Sequence, residues 1–376
     1  LKNSALYIHI PFCDHKCIYC DFYSIITTDN IQLFLKALKK EAEHFSTQCS
    51  NDRKFTSIFL GGGTPSLMEP AYLQQIIMHL KSTFAIDENV EITIETNPGT
   101  VNKEKLRKFK DAGINRISIG IQSFDDDELK FLTRIHNKQT AIQTVCEAAE
   151  VGFNNISLDL IFNLPNQTKE KWIENLKTAI ELPIKHISAY SLILERGTIL
   201  NKMVQDGKIV MQNDDYDADL YERTIDFLLS NGFYQYEVSN FTKPGFECIH
   251  NNAYWKYRDY LGLGTSAHSF IDGKRWWNFS SLKKYISEIE LNQHAVMSLE
   301  SITKSQMHDE YVMLALRSSG LDLIDYKKRF GKAWIEKKYN YFELLKNENL
   351  ILFKSDKIKL TSKGYAVCDE ILKNIL

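Results

Sequence analysis

The stretch Pro11-Phe12-Cys13-Asp14-His15-Lys16-Cys17-Ile18-Tyr19-Cys20-Asp21-Phe22 comes straight after a strand-like apolar run at 5–10, and its reading decides the fold. Its three cysteines, spaced CxxxCxxC, can ligate three irons of a cubane and leave the fourth iron without a protein ligand. An open iron of that kind can chelate the amino and carboxylate groups of S-adenosylmethionine (SAM). An electron passed to the sulfonium then cleaves its C–S bond. The competing reading is a zinc knuckle of Cys13, His15, Cys17 and Cys20. His15 lies too close to Cys17 for a comfortable tetrahedral loop, and no second Cys/His pair follows. A four-cysteine ferredoxin pattern is disfavoured because Phe22 stands where a nearby fourth thiolate is expected. Cys49, Cys146, Cys248 and Cys368 are scattered singly, which does not look like a secreted disulfide framework. The expected compartment is the cytoplasm.

Outward from the loop, β-branched runs at 57–60, 91–95, 116–121, 156–161 and 187–192 alternate with amphipathic stretches at 31–45, 72–84, 103–112, 140–151 and 169–181. With 5–10 they make six strands, each followed by a crossover. That order predicts an α/β fold with a parallel sheet and helices outside it. Six units make a partial (β/α)6 barrel rather than the closed eight-unit form, and chemistry belongs where strands end and loops begin. Gly113 and Gly152 fit as helix terminators ahead of the fourth and fifth strands.

Residues 1–237 are read as this barrel domain, and 238–376 as a second, mostly helical C-terminal domain. The latter opens with an aromatic- and Gly-rich segment at 250–279. Its tail runs helix, helix, hairpin (351–360), helix, the order of a winged helix. A mild excess of Lys and Arg in the tail is too weak to argue for nucleic acid, so a packing or lid module is expected. The net charge of −2 gives no electrostatic case for nucleic acid or an anionic membrane. No apolar run approaches the roughly 18 residues that span a bilayer. Residues 1–6 show no signal-peptide core.

Polar residues recur at the strand ends. Gly61-Gly62-Gly63-Thr64-Pro65 follows the second strand, and glycines there let the backbone approach a ligand that a Cβ would strike. Glu95 closes the third strand, Gln122 the fourth, and Asp159 lies in the fifth; Arg134 is placed to pair with a carboxylate. Taken singly, each has a bland reading: a turn, a strand-end cap, a surface salt bridge. Taken together, they ring one end of a barrel.

The motif Tyr7-x-His9-Ile10-Pro11-Phe12-Cys13, continued by Cys17, Cys20 and Asp21-Phe22-Tyr23, resembles the HemN-like radical-SAM family. That family holds the oxygen-independent coproporphyrinogen III dehydrogenases and a second branch of heme chaperones, and the likeness runs nearly the whole chain. The resemblance implies a [4Fe–4S] cluster on Cys13, Cys17 and Cys20. It implies SAM binding by Tyr7, Tyr19, Gly62, Gly63, Thr64, Glu95, Gln122, Arg134 and Asp159, some of them for a second SAM molecule.

Two features choose between the branches. The dehydrogenases carry one more cysteine, at the position of Phe22. The chaperones carry HNxxYW, matched here by His250-Asn251-Asn252-Ala253-Tyr254-Trp255. A neutral imidazole is a good axial ligand to heme iron, and Tyr and Trp offer flat faces to a porphyrin. Cys248 is a conceivable second ligand. The expectation is a heme chaperone that binds heme through His250, uses the cluster and SAM with an electron donor, and delivers heme to an acceptor such as a respiratory enzyme. The alternative is the dehydrogenase itself, decarboxylating coproporphyrinogen III to protoporphyrinogen IX. A third reading is a radical-SAM enzyme with an unrelated substrate, the aromatic segment then lining an ordinary pocket.

Overall fold

The computed structural model describes residues 1–49 and 52–376. The expected strands form β1 (Lys2–Ile10), β2 (Arg53–Gly62), β3 (Ile86–Thr96), β4 (Arg116–Gln122), β5 (Asn155–Phe162) and β6 (His186–Ser191). They pair in parallel in chain order. The crossovers carry α1 (Ile31–Cys49), α2 (Pro70–Thr83), α3 (Lys103–Asp111), α4 (Asp126–Phe131), α5 (Lys138–Glu150) and α6 (Lys169–Glu181). β4 is buried along almost its whole length, as a strand with both faces covered must be. Each helix buries one stripe: in α1, Phe34, Leu35, Leu38, Ala42 and Phe45 turn to the core at helical spacing. Asn102, Asn137 and Thr168 cap α3, α5 and α6 by accepting a backbone N–H three residues on. Gly113 and Gly152 follow α3 and α5 with φ of +96° and +92°, where a side chain would be strained.

The division expected at 237/238 falls inside the sheet. After α7 (Ile199–Gln205) and α8 (Asp214–Ser230), β7 (Tyr234–Glu237) and β8 (Asn240–Thr242) close one edge antiparallel to β6. Then α9 (Ile249–Trp255) leads to β9 (Tyr260–Gly264), which pairs parallel with β1 on its other side. β10 (His268–Ile271), β11 (Lys274–Asn278), α10 (Leu282–Asn292) and β12 (Val296–Ser301) complete an open sheet of 12 strands in the order β12-β11-β10-β9-β1-β2-β3-β4-β5-β6-β8-β7. A Cβ on Gly264 would run into the His9 carbonyl, so β9 reaches β1 only because Leu-Gly-Leu-Gly omits the side chain.

A separate apolar cluster begins at Tyr311. It joins α11 (Lys304–Leu316), β13 (Leu321–Asp322), α12 (Leu323–Phe330), α13 (Ala333–Asn347), β14 (Ile351–Lys354), β15 (Lys357–Leu360), α14 (Ser362–Ala366) and α15 (Cys368–Ile375), through Tyr326, Phe342, Ile351, Ile358 and Ile371. The helix, helix, hairpin, helix order of the tail is the winged-helix-like arrangement expected.

No helix among the described residues is long and apolar enough to cross a membrane.

Candidate functional site

The cysteine loop is tied at its base. Ile25 donates its N–H to the Pro11 carbonyl at 2.8 Å, and Cys13 returns one to Ile25 at 3.0 Å. The end of β2 docks on the same base, with Gly63 N–H to Ile10 O at 2.8 Å and Thr64 N–H to Phe12 O at 2.7 Å. A Cβ on Gly63 would stand 2.5 Å from the Phe12 carbonyl oxygen, and one on Gly62, at φ +113°, would meet the His9 ring at 2.8 Å. The triplet is therefore required by its own contact with β1 and the loop. This packing requirement stands beside the expected approach of a ligand.

The three thiols are free, partly exposed, and open into a cavity of about 400 Å³. Eight of the nine residues expected for SAM line it: Tyr19, Gly62, Gly63, Thr64, Glu95, Gln122, Arg134 and Asp159. Tyr7 lies elsewhere, its hydroxyl 3.1 Å from His9 Nδ1.

Arg134 is no surface salt bridge, and no carboxylate takes its hydrogen bonds among the described residues. Nη2 donates to Asn97 Oδ1 and to the Gly120 carbonyl, both at 2.7 Å, and Nη1 points at Cys17 Sγ at 3.5 Å. Asn97 also donates to Thr64 Oγ1 at 3.1 Å, and Thr64 Oγ1 is 3.1 Å from Cys13 Sγ. Asn97 and Arg134 thus tie the Thr64 turn to the loop. Asn97 escaped the sequence reading although it follows Glu95 by two residues, because an Asn before Pro reads first as a turn.

Asp159 is no strand-end cap. It sits within β5 and accepts from Ser118 Oγ at 3.1 and 3.2 Å, while burial raises its pKa. Glu95 accepts the Gly62 N–H at 3.1 Å. Burial, with Asp159 nearby, pushes it up to about 7.

The donor set fits an iron–sulfur cluster and its SAM. Three soft thiolates on one loop beside a fixed cation suit iron. Among the described residues no three His, Cys, Asp or Glu side chains converge as tightly as a single metal ion requires; a cubane spreads its thiolates wider. Arg134 Nε and His15 Nε2 are buried at this site without partners.

A second, inner cavity of about 220 Å³ adjoins the first, and Phe22, Glu95, Asp159 and Tyr190 line both. Its walls include Tyr7, Phe59, Arg116, His186, His250 and Tyr254. His250 is only 1% exposed. Its Nδ1 is 3.0 Å from Ser57 Oγ, its Nε2 is 2.8 Å from the Tyr254 hydroxyl, and its ring stacks on Phe59 at 4.9 Å. Burial, then Arg116, lowers its pKa to about 3, so the imidazole stays neutral. Cys248 is fully buried beside Glu91 and lines neither cavity, which removes it from the wall where a second ligand would stand.

Fold and site together define a radical-SAM protein, and residues 7–179 match the Radical SAM superfamily. The chain is 32% identical to the heme chaperone HemW of Lactococcus lactis over 382 residues, covering 100% of this chain and 98% of that protein. It is 32% identical to the HemW of Bacillus subtilis over 370 residues, covering 98% and 97%, and 38% identical to that of Escherichia coli over 283 residues, covering 73% and 72%. The chain belongs to the HemW family. Among solved structures it resembles the radical-SAM coproporphyrinogen III oxidase HemN of Escherichia coli, with a TM-score of 0.84 and 23% identity over 100% of this chain and 90% of that one. At that identity the likeness is one of fold.

Proposed function

We propose that this protein is a heme chaperone that binds heme and passes it to an acceptor protein such as a respiratory enzyme. What carries the reading is Phe22. In a chain of the HemW family, it replaces the dehydrogenases' extra cysteine on the wall between the thiol cavity and the cavity that holds His250 of HNxxYW. Cys13, Cys17 and Cys20 would hold the [4Fe–4S] cluster. Tyr19, Gly62, Gly63, Thr64, Glu95, Gln122, Arg134 and Asp159 would hold SAM, with Tyr7 behind them. When bound and reduced by an electron donor, the pair supplies one-electron cleavage of the SAM C–S bond. The chain's part is positional: Arg134 fixes the Thr64 turn through Asn97, and Glu95 braces Gly62.

His250 is the candidate axial ligand. Its Nε2 becomes available only when the Tyr254 hydroxyl withdraws. Anaerobic heme titration of wild type and His250→Ala tests the assignment. A loss of at least about tenfold in affinity is expected, and equal binding sinks it. Turnover of coproporphyrinogen III to protoporphyrinogen IX by the reconstituted protein would overturn the chaperone reading in favour of the dehydrogenase.

A further inference from the structure

Two arginines rank among the largest fully buried side chains, and they differ in one respect. Arg53 donates to Asp259 at 3.0 Å and to Asp272 at 2.8 Å. Arg116, on β4 and 2% exposed, donates no hydrogen bond among the described residues. Its nearest carboxylate, Glu91, stands 3.9 Å from Nε, beyond hydrogen-bond range. Glu91 is engaged elsewhere, accepting from the His250 N–H at 3.1 Å and the Cys248 thiol at 3.5 Å. A buried guanidinium whose one carboxylate neighbour stands outside hydrogen-bond range keeps donors free for a further acceptor in the chamber it lines.

That chamber is the inner cavity, which Arg116 lines. Its other titratable walls do not compete as cations. His186 is held neutral by burial and by Arg116, and His250 likewise. The carboxyls of Asp159 and Glu95 are both raised by burial, so they accept a proton readily when another anion approaches. The mouth is mixed, with Asp14, Asp21 and Glu195 beside exposed apolar side chains. Phe22 and Tyr190, 65% and 41% exposed, stand between the two cavities, and Ile135 and Ile193, 64% and 67% exposed, continue the outer rim. Exposed apolar side chains at the entry, over a polar chamber whose guanidinium makes no close hydrogen bond to a carboxylate, suit a flat apolar ligand that carries a carboxylate arm.

We propose that Arg116 is a carboxylate-binding residue and that the inner cavity receives a propionate arm of the heme, entering past Phe22 and Tyr190. The inference rests on the heme reading above. A cavity of about 220 Å³ has room for such an arm. SAM on the open iron would have its single carboxylate engaged there. A second SAM molecule is the competing carboxylate carrier, and the SAM arm of the test separates it from heme.

The test compares heme with heme dimethyl ester, binding each to wild type and to Arg116→Met, with SAM binding measured alongside. Wild type should prefer heme by roughly tenfold or more, the strength of a charge-assisted pair. Arg116→Met should lose that preference and bind SAM as wild type does. Equal binding of heme and ester by wild type overturns the proposal without needing any variant. So does a preference that survives in Arg116→Met, or a variant that loses SAM while keeping the preference, which assigns the arm to SAM. Wild type that binds neither porphyrin overturns the heme reading itself and this proposal with it. The comparison reads the carboxylates alone and does not depend on which side chain holds the iron.

Discussion

The two adjoining cavities are built on opposite principles. The outer one is made largely by loops past the strand ends, with thiols whose partners are local or at the long end of the range, as Cys17 Sγ is at 3.5 Å from Arg134. The inner one is made by side chains within strands and α9, nearly every one bonded to another. His186 illustrates it, with Nδ1 2.7 Å from Ser157 Oγ and Nε2 2.8 Å from the Tyr236 hydroxyl, at 1% exposure. The thiols of the outer cavity can change at little cost to the fold, unlike Gly62, Gly63 and Arg134 beside them. Groups in the inner cavity hold the sheet together as well as shape a chamber.

The contrast is open to attack from both sides. Cys17→Ala should abolish the iron–sulfur absorption of reconstituted protein while changing unfolding stability by no more than about 0.5 kcal/mol. A large stability loss in the cluster-free variant would erase the distinction. His186→Ala should do the reverse, costing about 3 kcal/mol by orphaning Ser157 and Tyr236 and leaving a cavity, with cluster content per folded chain unchanged. Denaturant titration and iron analysis on one sample decide it.

Glu95, on the shared wall, should show the smallest effect and a dependence on pH. Its folded pKa of about 7 lies above its ordinary 4.5. The native state therefore binds more protons between those values and loses stability as pH rises through them. Cluster-free Glu95→Gln should melt with wild type at pH 5 and above it at pH 8 by about 3 °C. An equal difference at both values would mean that Glu95 is not the titrating group.

The same contrast explains what could be read from the sequence. The outer site was legible where its residues come in contiguous motifs or close a strand: the cysteine loop, the glycine triplet, and Glu95 at the end of β3. Arg116 and His186 stand alone in runs of β-branched residues, where one polar letter carries no spacing signal. The six strands were legible from period and punctuation. β9 was not, since Leu-Gly-Leu-Gly has poor strand propensity and is stabilised only by the close approach to β1. The division at 237/238 came from a change in composition, and pairing across the sheet overrode it. Arg134 read as a partner for a carboxylate of SAM or of a substrate; the carbonyl and amide that hold it in place were not legible, because sequence shows charge but not those neighbours.

The pairing of β1 with β9 also has a consequence during synthesis. One neighbour of β1 is nearby in the chain, but the other, joined Ala5 to Tyr260, emerges from the ribosome long afterwards. Until then the strand that carries the cysteine loop is a bare edge, with unpaired amides ready to template on other chains. Nascent chains stalled between β8 and β9 should be the aggregation-prone species.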